Sequence, residues 1–286
     1  MKKILLWIAA IVITLSAVYF QRVTGPTKPV RVDFNFKGVN SKAVLLRSTE
    51  TTLTHDEALK DYATLGKTSP LRFMATNLPD GVNAVMVYSL YPGDWSLDTL
   101  CSARVGDMFT FEVPSLPAAS KIQYSVYLVD SEENFLVGNG NVVLRFKAPV
   151  PAFVLVPHII LMFVAMLFSN FTGVAAYLKN IKIERYAIAV LIMLGIGGLI
   201  LGPVVQKYAF DAYWTGWPFG EDLTDNKTLF AFIVWMSAFL LNRKKGNRKY
   251  LYIFAALVML LVYSIPHSTA GSEYDHSKGE VVTGRR

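Results

Sequence analysis

The chain has 286 residues, of which 53% are hydrophobic and only 17% are charged. This balance is too apolar for an ordinary soluble domain and indicates a membrane protein. The formal net charge of +7 does not predict nucleic-acid binding, because many basic residues flank apolar runs instead of forming one patch. The single cysteine, Cys101, excludes an internal disulfide and a multi-thiolate metal site.

Residues 1–26 are predicted to form an N-terminal transmembrane anchor. Lys2 and Lys3 precede the apolar run ILLWIAAIVITLSAVYF. The run has no clear small-x-small cleavage site and ends in an aromatic pair, as interfacial segments do. We therefore expect an uncleaved anchor whose lysines stay in the cytoplasm, so that the residues that follow are exported.

Between residues 27 and 147 the hydrophobic period changes to two, which is typical of half-buried strands. The segments Val30–Phe36 and Ile122–Leu128 alternate cleanly between apolar and polar residues. Turn sequences such as Pro79-Asp80-Gly81 separate about seven short strands. This pattern predicts an exported all-β domain with an immunoglobulin-like or fibronectin-like sandwich fold.

Residues 148–265 are predicted to form a four-helix transmembrane domain. The apolar runs begin near Phe153, Tyr186, Thr228 and Tyr250, and a span needs about 20 apolar residues. The last two runs are short, so we expect flanking polar residues to anchor their ends. The predicted fold class is a membrane α-helical bundle of five transmembrane helices, with the sandwich inserted after the first.

The positive-inside rule orients these predicted spans. The predicted loops that are rich in Lys and Arg all fall on one side of the membrane. The loop at residues 207–227, in which acids outnumber bases, falls on the other side. The sandwich, this loop and the C-terminal tail at residues 266–286 are therefore expected in the periplasm of a bacterial inner membrane. Membrane lipids are expected partners of the helices.

The candidate site lies where three segments meet the outer membrane face. His158 lies within the second predicted span, and His267 follows the fifth. An ionisable side chain inside a span is a functional hypothesis by default. The same face also receives polar and aromatic side chains from the loop and the tail, namely Trp214, Asp222, Asp225, Asn226, Lys227 and Glu273.

A divalent transition metal is the first ligand that we predict for this site, because imidazole pairs bind Zn, Cu or Fe. The predicted metal ligands are two histidines and nearby carboxylates, namely His158, His267, Asp222, Asp225 and Glu273. Haem b is the alternative cofactor, although its propionates would meet more acids than bases here. Other residues predicted to contact a cofactor are Trp214, Asn226 and Lys227.

A purely structural interpretation stays open for each of these residues. Asp225 or Thr224 could cap the fourth span, and Trp214 and Trp217 could form an interfacial aromatic belt. His158 could be a neutral histidine that is hydrogen-bonded to a neighbouring helix.

The segment GPVVQKYAFDAYWTGWPFGEDLTDNKT, with PHIILMF in the second span and IPHSTAGSE after the fifth, carries a family resemblance. It resembles an uncharacterised family of bacterial inner-membrane proteins that have an exported β-sandwich, four helices and a WTGxPFGxDLTDNKT loop. The resemblance implies a shared architecture and a shared site at these positions, without an activity.

Two functions of different class stay open at this point. One is a periplasm-facing metal or haem site with an unknown reaction, and the other is a non-catalytic assembly protein whose sandwich binds a periplasmic protein. No nucleotide-binding glycine loop, nucleophile elbow, CxxC or His-Glu-x-x-His motif occurs in the sequence. The sequence therefore names no reaction and leaves open whether the protein is an enzyme.

Overall fold

The computed structural model describes residues 2–92, 97–131, 133–176, 182–245, 248–266 and 273–282. A long helix, α1 (Lys2–Thr24), comes first, and a β-rich region follows it. The other long helices come after the β-rich region, and a short pair of strands lies near the C-terminus. The chain therefore mixes α and β structure in separate segments.

Two sheets of mostly antiparallel strands form a sandwich from residues 30–147. The first sheet has the order β1 (Val30–Phe36), β2 (Val39–Leu45), β4 (Thr68–Thr76), β8 (Met108–Pro114) and β7 (Ala103–Val105). The second has the order β3 (Ser48–Glu50), β11 (Val142–Lys147), β9 (Lys121–Val129), β5 (Asn83–Tyr91) and β6 (Asp98–Cys101), with β10 (Asn134–Leu136) beside β9.

One hydrophobic core lies between the two sheets. Alternate residues of β4, β8 and β9 are buried, because successive side chains of a strand point to opposite faces. Phe111 from the first sheet and Phe146 from the second are both fully buried in this core. A short helix α2 (His55–Ala58) and a 3-10 turn at Tyr62–Leu65 connect β3 to β4.

The helical region packs around a central helix, α3 (Ala152–Ala175). The other helical segments are α4 (Ile183–Met193), a π-helical segment (Leu194–Leu201), α5 (Gly202–Phe210), α6 (Leu223–Lys245) and α7 (Tyr250–Ser264). Helix α3 contacts α1, α4, the π-helical segment and α7. The segments α4 to α5 run on without a break, as one 28-residue helix from Ile183 to Phe210.

The prediction of a bundle of five membrane spans is wrong. Among the described residues, three helices are long and apolar enough to cross a membrane, Lys3–Thr24, Ala152–Ala175 and Ile183–Phe210. Helix α7 has 15 residues, or about 22 Å at the usual rise, which is less than the hydrocarbon thickness of about 30 Å. Helix α6 has 23 residues, but polar side chains occupy both of its ends. The three long apolar helices make this a membrane-associated protein with a mixed fold.

Small residues let the helices approach one another closely. A Cβ atom at Gly197 would lie 2.8 Å from the Leu161 Cβ, and one at Gly198 would lie 2.7 Å from the Thr228 Cγ2. These two glycines thus allow α3 and α6 to pack against the π-helical segment. Gly173 of α3 does the same for α7, since a Cβ there would lie 2.7 Å from the Ala256 Cβ.

We expect Gly173→Ala to destabilise the helical region by about 1–3 kcal/mol, because the added methyl group would force α3 and α7 apart. Gly195→Ala is the matched control, since a Cβ there would meet its nearest neighbour, Phe232, at an ordinary 3.7 Å. Thermal unfolding of the detergent-solubilised protein, followed by tryptophan fluorescence, measures both changes. Equal losses of stability in the two variants would contradict this account.

Candidate functional site

The central loop, residues 211–222, joins α5 to α6 and is held in place by Asp225. The Asp225 Oδ2 accepts hydrogen bonds from the backbone N–H of Thr215 at 2.7 Å and of Gly216 at 3.1 Å. Gln206 of α5 faces the same carboxylate, and with its amide nitrogen turned toward Asp225 the Nε2 lies 2.9 and 3.0 Å from the two oxygens. One side chain in the first turn of α6 therefore ties the loop to both flanking helices.

Burial raises the pKa of the Asp225 carboxyl above its usual value, and the nearby Asp222 adds to this rise. The hydrogen bonds from Thr215 and Gln206 oppose it, because they favour the ionised form. Asp225 is only 7% exposed, so these donors compensate a carboxylate that water hardly reaches.

Asp222 caps the N-terminus of α6. Its Oδ1 accepts the backbone N–H of Thr224 at 2.7 Å, and its carbonyl accepts that of Asn226 at 3.0 Å. This is the arrangement of an N-cap, which satisfies backbone donors that the first helical turn leaves without a partner. The expected capping role thus belongs to Asp222, while Asp225 holds the loop.

The central loop folds tightly over the start of α6. Gly216 has no room for a side chain, since a Cβ there would lie 2.6 Å from the Asp225 Cβ and 2.8 Å from the Asn226 Oδ1. The Asn226 Oδ1 accepts the backbone N–H of Trp217 at 2.6 Å, and the Trp214 indole N–H donates to the Trp217 carbonyl at 3.0 Å. Trp214 and Asn226, which we predicted to contact a cofactor, thus stabilise the loop itself.

A cavity of about 150 Å³, here called the junction cavity, lies between the sandwich, α3, α5 and α6. Arg145 of β11 lines it from the sandwich, and its guanidinium carbon lies 4.7 Å from the centre of the Phe210 ring. Burial lowers the pKa of Arg145, while the negative charges of Asp222 and Glu273 oppose that shift. The polar side chains contributed by the helical region are those of His158, Gln206, Asp222, Thr224, Asp225 and Thr228.

His158 has a defined hydrogen-bond partner in the π-helical segment. Its Nδ1 lies 2.8 Å from the Gly197 carbonyl oxygen. A carbonyl oxygen only accepts hydrogen bonds, so the Nδ1 carries a proton, and in the neutral ring the Nε2 then presents a lone pair. His158 lines both the junction cavity and a second cavity that also contains Lys227.

The other predicted site residues have separate surroundings. Lys227 donates to the carbonyl of Ile265 at 2.6 Å, and burial lowers the pKa of its ammonium group to about 8. Glu273 forms an ion pair with Lys121 of the sandwich. His267 lies outside the described residues.

Within the described ranges, no group of three His, Cys, Asp or Glu side chains is placed to hold a metal ion. His158, Asp222 and Asp225 line the junction cavity, whereas Glu273 does not, and each of these four side chains has a protein partner. A metal ligand set would therefore need a further residue, and His267 is the predicted one.

The sequence reasoning missed Arg145, Gln206 and Thr215. Arg145 lies near the C-terminal end of β11. The backbone N–H of Ala148, just after this strand, donates to the Ala209 carbonyl at 3.3 Å, which brings the strand end against α5. Only that packing gives Arg145 a place in the site. For Gln206 the sequence does hold a signal, because its polar amide lies at the end of an apolar run.

Comparison with known proteins gives no identification. No family model matches the chain, and no curated protein matches it. One solved structure is similar, titled "Structure of Astrotactin-2, a conserved vertebrate-specific and perforin-like membrane protein involved in neuronal development", with 12% identity and a TM-score of 0.22. The match covers 71% of this chain and 35% of that chain, and at this score it carries no argument.

We expect Asp225→Asn to lower the free energy of unfolding by about 1.5–3 kcal/mol, because it removes hydrogen bonds to a charged group. Glu221→Gln is the control, since Glu221 is an exposed acid of the same loop. Limited proteolysis and thermal unfolding should both report a loosened loop in Asp225→Asn. The interpretation is wrong if the two variants behave alike.

Proposed function

We propose that the chain is a polytopic bacterial inner-membrane protein that binds a divalent transition metal at its periplasmic face, in the junction cavity. The observation that carries this proposal is the hydrogen bond from the His158 Nδ1 to the Gly197 carbonyl at 2.8 Å. Metal-binding histidines usually donate their second N–H to a carbonyl or a carboxylate, which fixes the ring and raises its basicity. His158 has that arrangement, with its Nε2 as the ligand atom.

The charges around the junction cavity support a cation. The charged side chains among the lining residues are the carboxylates of Asp222 and Asp225 and the guanidinium of Arg145, which leaves an excess of one negative charge. Hydrogen-bond donors already stabilise Asp225, and a divalent cation coordinated by Asp222 would add to the stabilisation of the two carboxylates. We propose His158, Asp222 and His267 as ligands, with Zn, Cu or Fe as the metal.

The size of the junction cavity favours a bare ion over haem b. At about 150 Å³ it is smaller than the roughly 300–1,000 Å³ of pockets that enclose drug-sized ligands. A metal ion with one or two water molecules needs far less room than a macrocycle.

We expect His158→Ala to lose most of its bound metal, because the variant lacks an imidazole ligand that lines the junction cavity. His276→Ala is the control, since the His276 Nδ1 bonds to the Tyr62 hydroxyl at 2.8 Å on the sandwich side. Elemental analysis of detergent-purified protein gives the metal content per chain. Equal metal content in the two variants would refute the proposed site, and His267→Ala should resemble His158→Ala.

The proposed orientation has the N-terminus in the cytoplasm and the sandwich, the central loop and the tail in the periplasm. Strand β12 (Glu273–Asp275) pairs with β13 (Glu280–Val282), and the Tyr274 N–H donates to the Ala119 carbonyl of the sandwich at 3.3 Å. This contact supports a tail on the same side as the sandwich. The basic residues in the first turn of α1 and between α3 and α4 support the opposite side for those segments.

Cys101 tests this orientation, because it is exposed and is the single cysteine of the chain. A membrane-impermeant maleimide should label Cys101 in spheroplasts. In the matched variant Cys101→Ser with Lys182→Cys, the exposed position 182 should react only after the membrane is permeabilised. The reverse pattern would contradict the orientation.

A second candidate function is partner binding by the sandwich in the periplasm. Val105, on the terminal strand β7 of its sheet, is 81% exposed. Met74, two strands away and in register with Val105 through Met108, is 43% exposed. An exposed apolar patch on an edge strand favours a protein partner. A photo-crosslinker attached to Cys101, four residues from Val105, should then capture one periplasmic protein, and capture should fail in Val105→Glu.

A further inference from the structure

A second cavity, of about 380 Å³, lies between α1, α3, α6 and α7 and is here called the lateral cavity. Gln21 and Arg22 line it from the end of α1, and Lys227 lines it from the start of α6. Its remaining walls are mostly apolar, with Ile159 and Phe163 of α3 among them. The cavity thus has a cationic mouth and an apolar interior.

An apolar groove extends the lateral cavity along the membrane-spanning helices. This groove, of about 240 Å³, lies between α1 and α3. Phe163 lines both hollows, so the two are adjacent. The other groove residues are Ile11, Thr14, Leu15, Val18, Val164 and Leu167. From Arg22 to Ile11 the path along α1 is about 16 Å at the usual helical rise.

The groove opens toward the surroundings of the helices. Phe163 is 38% exposed, Ile11 44% and Leu15 62%. Both α1 and α3 are long and apolar enough to span a membrane, so these exposed side chains face acyl chains. A lipid molecule could enter from the side, without passing through the protein.

The charges at the mouth match an anionic headgroup. Arg22 is exposed, and the Lys227 Nζ donates to the Ile265 carbonyl, a neutral acceptor that leaves the charge of the ammonium group in place. Asp222 is the carboxylate whose charge acts on Lys227. Two cations against this one carboxylate leave an excess positive charge, and Arg and Lys together are the usual ligands of phosphate groups.

We propose that the lateral cavity and the apolar groove together bind one phospholipid with an anionic headgroup. Its phosphate contacts Arg22 and Lys227, and one acyl chain lies between α1 and α3 along Phe163. The lipid comes from the leaflet at the sandwich side, because the mouth lies at the helix ends next to the sandwich. This proposal does not depend on a metal in the junction cavity.

Native mass spectrometry of the purified full chain with added phosphatidylglycerol tests the proposal. We expect one molecule to bind tightly and the zwitterionic phosphatidylcholine to bind more weakly. Arg22→Gln should weaken phosphatidylglycerol binding about fivefold, which corresponds to about 1 kcal/mol per basic residue at an anionic lipid. Arg31→Gln, an exposed arginine of the sandwich, should leave binding unchanged, and Arg22→Lys should retain most of it.

The acyl chain is tested separately. Val164→Trp fills the groove and should weaken phosphatidylglycerol binding, whereas Ile160→Trp, which is 55% exposed and does not line the groove, should not. Thermal unfolding of each variant verifies that it is folded. Three results would overturn the proposal: equal binding of the two lipids, equal behaviour of Arg22→Gln and Arg31→Gln, or glycerol phosphate binding as tightly as the whole lipid.

Discussion

The arrangement of the outer face depends on the buried carboxylate of Asp225. It accepts hydrogen bonds from the backbone of Thr215 and Gly216, and it faces the amide of Gln206. Thr215 and Gly216 belong to the central loop and Gln206 belongs to α5, whereas Asp225 belongs to α6. One side chain therefore fixes these three segments relative to one another. A buried carboxylate without such donors would be strongly unfavourable, so the loop and the carboxylate stabilise each other.

A second constraint lies in the π-helical segment between α4 and α5. Because Gly197 and Gly198 lack side chains, Leu161 of α3 and Thr228 of α6 can lie against the backbone of this segment. The Gly197 carbonyl accepts hydrogen bonds from the Gly202 backbone N–H and lies within bonding distance of the His158 ring. Single turns of π-helix often occur at functional sites. Here the Gly197 carbonyl of the π-helical segment fixes the tautomer of His158, because it accepts a hydrogen bond from the Nδ1. Close packing alone would not determine which ring nitrogen carries the proton.

The sequence predicts those elements whose pattern is set by local periodicity. Strand β1 has the predicted bounds, Val30–Phe36, because strict alternation of apolar and polar residues fits a half-buried strand. The prediction of five spans fails because the apolar run of α7 forms a helix of only 15 residues, too short to cross the bilayer, and α6 has polar side chains at both ends. The site was located only in part. The role of Asp225 as the residue that holds the loop depends on a hydrogen bond from the backbone N–H of Thr215, which no sequence pattern indicates. Arg145 enters the site only because the sandwich packs against α5.

The two cavities are related through the residues that separate them. His158, Met162 and Thr228 line both the junction cavity and the lateral cavity, so one layer of side chains lies between the acids and the lipid-facing mouth. The acids Asp222 and Asp225 lie on one side of this layer, and Arg22 and Lys227 lie on the other. Across this layer the charge of Asp222 acts on Lys227, and both side chains are buried, where charges interact more strongly than in water. A ligand that changes the charge on one side therefore changes the affinity on the other, and by linkage this effect is reciprocal.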